Sequence, residues 1–174
     1  SAQKLARLLA QAGYAVVSGG GPGIMEAANK GAFEGKGQSV GLNIQLPFEQ
    51  RINPYVRKSM AFNFFFTRKV MLAFSARAFV FFPGGFGTLD EAFEMLTLRQ
   101  THKINPRIPI ILVGKDFWQP LVDWLYQNAV KKHRTIAEDE FRLFELVDTP
   151  EEALKVVKNA PLNRGASSRN TSPL

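Results

Sequence analysis

Residues 14–47, YAVVSGGGPGIMEAANKGAFEGKGQSVGLNIQLP, decide how this chain is read. An apolar, β-branched run ends in glycines after Ser18. A stretch with helical spacing follows and is stopped by Gly35 and Gly37, and a second apolar run begins at Ser39. That is a strand, a turn, a helix and another strand. The alternation continues outward, with FTRKVMLAFSA (66–76) as a helix, RAFVFF (77–82) as a strand and TLDEAFEMLTLRQ (88–100) as a helix. RIPIILVG (107–114) and LFELVD (143–148) supply two more strands, separated by the helical FWQPLVDWLYQNAVKKH (117–133). Strands alternating with helices predict a single-domain α/β fold: a Rossmann-like, doubly wound parallel sheet with helices on both faces. Ligands then sit beyond the carboxyl ends of the strands, where both glycine turns fall.

The ends of the pattern are less regular. Ala2 to Ala12 already has helical spacing, with Leu5, Leu8, Leu9 and Ala12 on one face, so the strand expected before it is missing from this chain. At the other end, NRGASSRNTSPL is small and polar, and the expected division is a nucleotide-binding domain over 1–160 and a disordered tail over 161–174.

Composition narrows the function classes. With 45% hydrophobic and 21% charged residues in 174, the chain has enough apolar material for one ordinary globular core. It contains no cysteine, which excludes a disulfide scaffold and thiolate zinc sites and fits a reducing cytoplasm. No run approaches the roughly 18 apolar residues of a spanning helix, so no membrane partner is expected. The net charge of +7 invites a nucleic-acid reading, but the 22 basic residues are scattered, and only KKHR at 131–134 clusters. A small phosphorylated ligand would be drawn by the same field. His102 and His133 stand apart without ligand spacing, so no metal is expected.

Two turns carry chemistry. SGGGPG, Ser18 to Gly23, joins a strand to a helix, where backbone amides and the helix dipole favour an anion. It also fits a tight turn needed only for close packing. Neither the dinucleotide fingerprint nor a G-x-x-x-x-G-K-[ST] phosphate loop is present. PGGFGT, Pro83 to Thr88, is the second turn: Gly84, Gly85 and Gly87 would let backbone approach a ligand, and Thr88 offers a hydroxyl. Thr88 to Glu91 also reads as a capping box, which would account for Glu91 locally. Beyond it, Leu89, Ala92, Phe93 and Leu96 are expected to form the buried stripe, leaving Met95 and Leu98 for a partner subunit or a cleft. Arg68 falls in the first turn of its helix, unfavourable against the dipole unless an anion lies nearby; it also fits a surface arginine. The aromatic run FNFFF before it reads as core or subunit contact.

FNFFFTRKVMLAFSARAFVFFPGGFGTLDEAFEMLTLRQT resembles the signature region of the Lonely Guy family, with its Arg-Lys pair (Arg68, Lys69) followed by P-G-G-x-G-T-x-x-E from Pro83 to Glu91. GGGPGIMEAANKGA, Gly19 to Ala32, is similar to the family's earlier glycine turn. The likeness runs from about Gly13 to Pro150. It implies a cytokinin riboside 5′-monophosphate phosphoribohydrolase, releasing free base and ribose 5-phosphate from AMP or an N6-modified AMP, without a cofactor. Nothing marks a lysine for a pyridoxal Schiff base. The resemblance makes Arg68 and Glu91 the catalytic pair. It gives the phosphate to Lys69, Gly84, Gly85, Gly87 and Thr88, and the other side of the nucleotide to Gly20, Gly21 and Gly23. It also implies a homodimer or a larger homo-oligomer. Rival readings are a carrier that binds nucleotide without turnover, a single-strand DNA-processing protein, and a nucleosidase for a different base.

Overall fold

The computed structural model describes residues 1–46, 51–74 and 76–160. The expected tail, Pro47 and Ser75 lie outside these. The chain runs α1 (Ala2–Gln11), β1 (Val16–Ser18), α2 (Ile24–Glu34), β2 (Ser39–Ile44), β3 (Lys58–Phe62), α3 (Phe65–Phe74), β4 (Phe79–Phe81), α4 (Phe86–Gln100), β5 (Ile110–Val113), α5 (Lys115–Leu125), β6 (Glu145–Val147) and α6 (Pro150–Asn159). A π-helical segment, Tyr126–Lys132, continues α5. Among the described residues every strand pairing is parallel. The hydrogen-bonded order is β1–β2–β3 in one three-stranded sheet and β4–β5–β6 in a second.

β5 shows why the second sheet is covered on both faces. Ile110 and Leu112 point into a core with Phe79 and Phe81 of β4, to which α4 adds Ala92 and Met95 and α5 adds Trp118. Ile111 and Val113 point the other way, against Leu5 of α1 and Ala153 and Val157 of α6. All four are nearly fully buried, so the strand reads as an unbroken apolar run. The architecture is the expected α/β fold of parallel strands with helices on both sides.

Helix α1 departs from its expected face. Ala2, Leu5, Ala6 and Ala10 are buried, whereas Ala12 is exposed beyond the helix end. The reason is that α1 touches two bodies. Leu5 faces the second sheet, and Ala6 and Ala10 lie so close to α2 that a Cβ at Gly31 would meet Ala6 Cβ at 2.9 Å and one at Gly35 would meet Ala10 Cβ at 2.8 Å. Gly35 therefore owes its place to packing. It ends α2 at φ −74°, and the left-handed residue is Lys36 at φ +57°.

Two elements escape the pattern reading. β3 is exposed along most of its length, so its five residues show no buried alternation; its pairing with β2 forms it. α6 begins on a capping box in which the Thr149 hydroxyl accepts from the Glu152 amide at 3.2 Å, with Pro150 in the first turn. The expected stripe on α4 holds for Leu89, Ala92 and Leu96, which pack on the core of the second sheet, and is corrected at Phe93 and at Met95 and Leu98, which reach that same core. Ala92 and Met95 are its buried residues at 2% and 3% exposure, while Phe93 is 38% exposed. Helix α4 starts at Phe86, two residues before Thr88.

Candidate functional site

The first glycine turn rests on a buried polar lattice. Gly20 and Gly23 take φ of +73° and +70°, a region open to glycine. At Gly20 a Cβ would also lie 2.6 Å from Asn43 Nδ2. Beneath it, the Asn53 side-chain amide donates to the carbonyls of Gly20 (3.0 Å) and Gly21 (3.1 Å) and to Asn29 Oδ1 (2.9 Å). Asn43 Nδ2 donates to the Gly19 carbonyl at 3.0 Å. Asn29 in turn accepts from the Ser18 hydroxyl at 2.6 Å and donates to Ser39 Oγ at 2.9 Å. Asn29, Ser39, Asn43 and Asn53 are all buried. The carbonyls of Gly19, Gly20 and Gly21 are thus turned inward and held. The Gly20 amide is already occupied, donating to Ser18 Oγ at 3.0 Å.

The second turn opens α4. Gly85 is its N-cap in extended backbone, and the Leu89 amide closes the first turn onto the Gly85 carbonyl at 3.1 Å. The first-turn amides are therefore those of Phe86, Gly87 and Thr88, which have no intrahelical carbonyl to meet. Cβ atoms at Gly85 and Gly87 would point into open space, so backbone at both positions is uncovered. Gly84 differs: a Cβ there would collide with the Thr88 side chain, which folds back over it. The capping box expected from Thr88 to Glu91 does not form, because the helix begins earlier and Glu91 has another partner.

That partner is Arg68. From the first turn of α3, its guanidinium pairs with the Glu91 carboxylate, and the two side chains are 12% and 28% exposed. The same guanidinium reaches the first glycine turn, since a Cβ on Gly19 would stand 3.1 Å from Arg68 Nη1. Arg68 Nε is buried without a hydrogen-bond partner. Burial raises the Glu91 carboxyl above its ordinary value, against the opposing pull of Arg68 and then Lys69. The Lys69 ammonium sits between Asp90 Oδ2 (2.7 Å) and Glu94 Oε2 (2.8 Å). Burial alone would lower its affinity for the proton, but the two carboxylates outweigh that and the net shift is upward.

The structure therefore brings Gly19, Arg68 and Glu91 together, with the α4 turn on the helix that carries Glu91. It sets Lys69 among carboxylates. Sequence reasoning missed Asn29, Asn43, Asn53, Asp90 and Glu94. Asp90 and Glu94 were legible in principle, as acids four apart on one helix ridge flanking Glu91. Among the described residues no group of His, Asp and Glu side chains is placed to hold a metal ion. No helix among the described residues is long and apolar enough to cross a membrane.

A family model described as "possible lysine decarboxylase" matches residues 25–157. A protein of Oryza sativa subsp. japonica named cytokinin riboside 5′-monophosphate phosphoribohydrolase is 30% identical over 168 residues, covering 92% of this chain and 66% of that protein. A second rice protein, named as a probable enzyme of the same kind, is 35% identical over 109 residues, 59% of this chain and 44% of that one. The chain thus spans about two thirds of the length of one rice relative and less than half of the other. Among solved structures, the molybdenum cofactor binding protein of Rippkaea orientalis superposes with a TM-score of 0.66 at 21% identity, covering 90% of this chain and 83% of that one. At that identity the likeness is one of fold.

Proposed function

This chain belongs to the family described as possible lysine decarboxylases, the Lonely Guy family, and from that premise we propose that it is a phosphoribohydrolase. Its substrate would be a nucleoside 5′-monophosphate of the AMP type, cleaved at the N-glycosidic bond to free base and ribose 5-phosphate. The observation that carries the reading is the Arg68–Glu91 pair set against the first glycine turn, on the helix whose uncovered N-terminus is the second.

The chemistry follows from that arrangement. As the bond from C1′ to the base nitrogen breaks, its electron pair leaves with the base and the sugar becomes cationic, oxocarbenium-like. A carboxylate beside C1′ stabilises that charge and takes a proton from the attacking water. Glu91 would do both. The 5′-phosphate would be held by the amides at Gly85 to Thr88 and by Arg68, with Gly20, Gly21 and Gly23 lining the other side of the nucleotide. Drawn to the phosphate, Arg68 would leave Glu91, freeing the carboxylate next to the reacting carbon. Binding and activation would then be one event.

We infer further that the working unit is a homodimer formed through α3. None of its ten residues is buried. Phe65, Phe66, Val70 and Phe74 are 53%, 66%, 60% and 86% exposed, and Phe64 beside them 62%. The run expected as core or subunit contact is therefore not core in the single chain. So large an apolar surface favours a protein partner.

The test is to incubate the protein with AMP and with isopentenyladenosine monophosphate, without added metal, and to follow base and ribose 5-phosphate. Equimolar products are expected, and Glu91→Gln should lower the rate by about 10²–10⁴-fold while leaving nucleotide affinity largely intact. Full activity in that variant would remove Glu91 from the reaction. Nucleotide bound without turnover by the wild type would replace the enzyme reading with a carrier.

A further inference from the structure

The resemblance gives Lys69 to the substrate phosphate, but its surroundings point elsewhere. Asp90 and Glu94 stand four residues apart on one ridge of α4, and the Lys69 ammonium lies between them at 2.7 and 2.8 Å. Its side chain is only 16% exposed. A phosphate dianion approaching that ammonium would meet two carboxylates at contact range, and the repulsion would offset the attraction. Arg68, one residue earlier on α3, meets Glu91, one residue later than Asp90 on α4, so the two helices are laced by adjacent pairs.

We propose that Lys69, Asp90 and Glu94 form a clamp that sets the rotation of α3 against α4, making Lys69 a positioning residue that aligns Arg68 with Glu91. The inference rests on the phosphoribohydrolase reading for its catalytic consequence, though not for the clamp itself. The need for a clamp follows from α3. None of its residues is fully buried in the single chain, and although Ala73 packs on the core of the second sheet, so small a contact holds the helix only weakly about its axis. A turn of about 10° carries a group held about 6 Å from the axis through about 1 Å, enough to cost on the order of 10²-fold in rate. Two carboxylates on one ammonium resist that turn in either direction. The clamp also separates two duties: Arg68 is free to exchange Glu91 for a phosphate, while Lys69 keeps α3 in place.

The experiment compares Lys69→Met, the double variant Asp90→Asn/Glu94→Gln, the triple combination and Lys69→Arg. Each is measured by amide hydrogen exchange over residues 65–74, by calorimetric titration with AMP, and by kcat and KM. The clamp predicts faster α3 exchange and a kcat lowered about 10–100-fold in both Lys69→Met and the acid double, with AMP affinity within about threefold. The triple variant should be no worse than either, and Lys69→Arg should recover most of the loss. A Lys69→Met protein with unchanged α3 exchange and AMP binding weakened tenfold or more would make Lys69 a phosphate ligand and overturn the proposal. So would an acid double whose α3 exchanges as in the wild type. If Lys69→Met does not fold, the acid double decides by the same readouts. A wild type that hydrolyses no nucleotide would remove the enzymatic reading, and the exchange and titration would still decide the clamp.

Discussion

Glu91 and Asn53 show how differently two site residues are written in a sequence. Glu91 announces itself, being the acid that closes P-G-G-x-G-T-x-x-E, with Arg68 upstream to meet it. Its environment makes a pH prediction. Burial raises its carboxyl, and Arg68 and Lys69 only partly counter this. As a base it acts ionised, so activity should be full above that raised value and fall as the pH drops through it. The acid limb of kcat/KM against pH should therefore lie above the ordinary carboxylate range. Arg68→Met, which removes the larger opposing charge, should move it further up among whatever residual activity remains. Asn53 gives no such notice, because an asparagine in a polar-looking stretch reads as surface. Its role depends on four segments meeting beneath one turn. Asn53→Ala leaves the Gly21 carbonyl and Asn29 short of a donor, a loss of about 3 kcal/mol and roughly 6–12 °C in Tm. Calorimetry checks the first effect. A weakened AMP titration in the folded variant would show that the lattice shapes the turn.

At the scale of elements, strands and helices with strong periodicity were legible and their starting points were not. PGGFGT was readable as a turn entering a helix, yet the helix begins at Phe86, because Gly85 in extended backbone caps it before Thr88 is reached. That shift moves the free amides forward to Phe86, Gly87 and Thr88. β3 left no trace because its residues are mostly exposed and show no alternation, and α6 went unread although its capping box stands in Thr-Pro-Glu-Glu, 149–152. Thr149→Ala should lower stability by about 1 kcal/mol through loss of the cap. Gly31 makes a stronger prediction. In an isolated helix, Gly→Ala would add about 1 kcal/mol of stability. Here the added methyl would run into the Gln3 carbonyl oxygen and Ala6 of α1. Backbone cannot step aside as a side chain tip can, so Gly31→Ala should destabilise, by about 1–3 kcal/mol, in a denaturant titration.

For the whole molecule, the α/β class followed from alternation alone, but the partition into two three-stranded sheets depends on which strands bond and could not be read locally. The unpartnered α3 surface belongs at this scale too. If a second copy covers it, Phe74→Asp should shift the protein to monomer in sedimentation velocity with its circular dichroism unchanged. A wild type already monomeric at tens of micromolar would end the dimer reading. The bridging position of α1 has one further consequence. Each sheet is assembled from a continuous stretch of chain, so each can form from neighbouring segments with short loops to close. Helix α1 is different, for it shares a core with α6, and Lys4 pairs with Glu151 at 2.5 Å across almost the full described length. During synthesis the first sheet has its own strands in hand long before α6 leaves the ribosome, and Leu5, which also meets Ile111 and Val113 of β5, gains the last of its cover only then. Of the contacts described, the one completed last along the chain is the seam between α1 and α6.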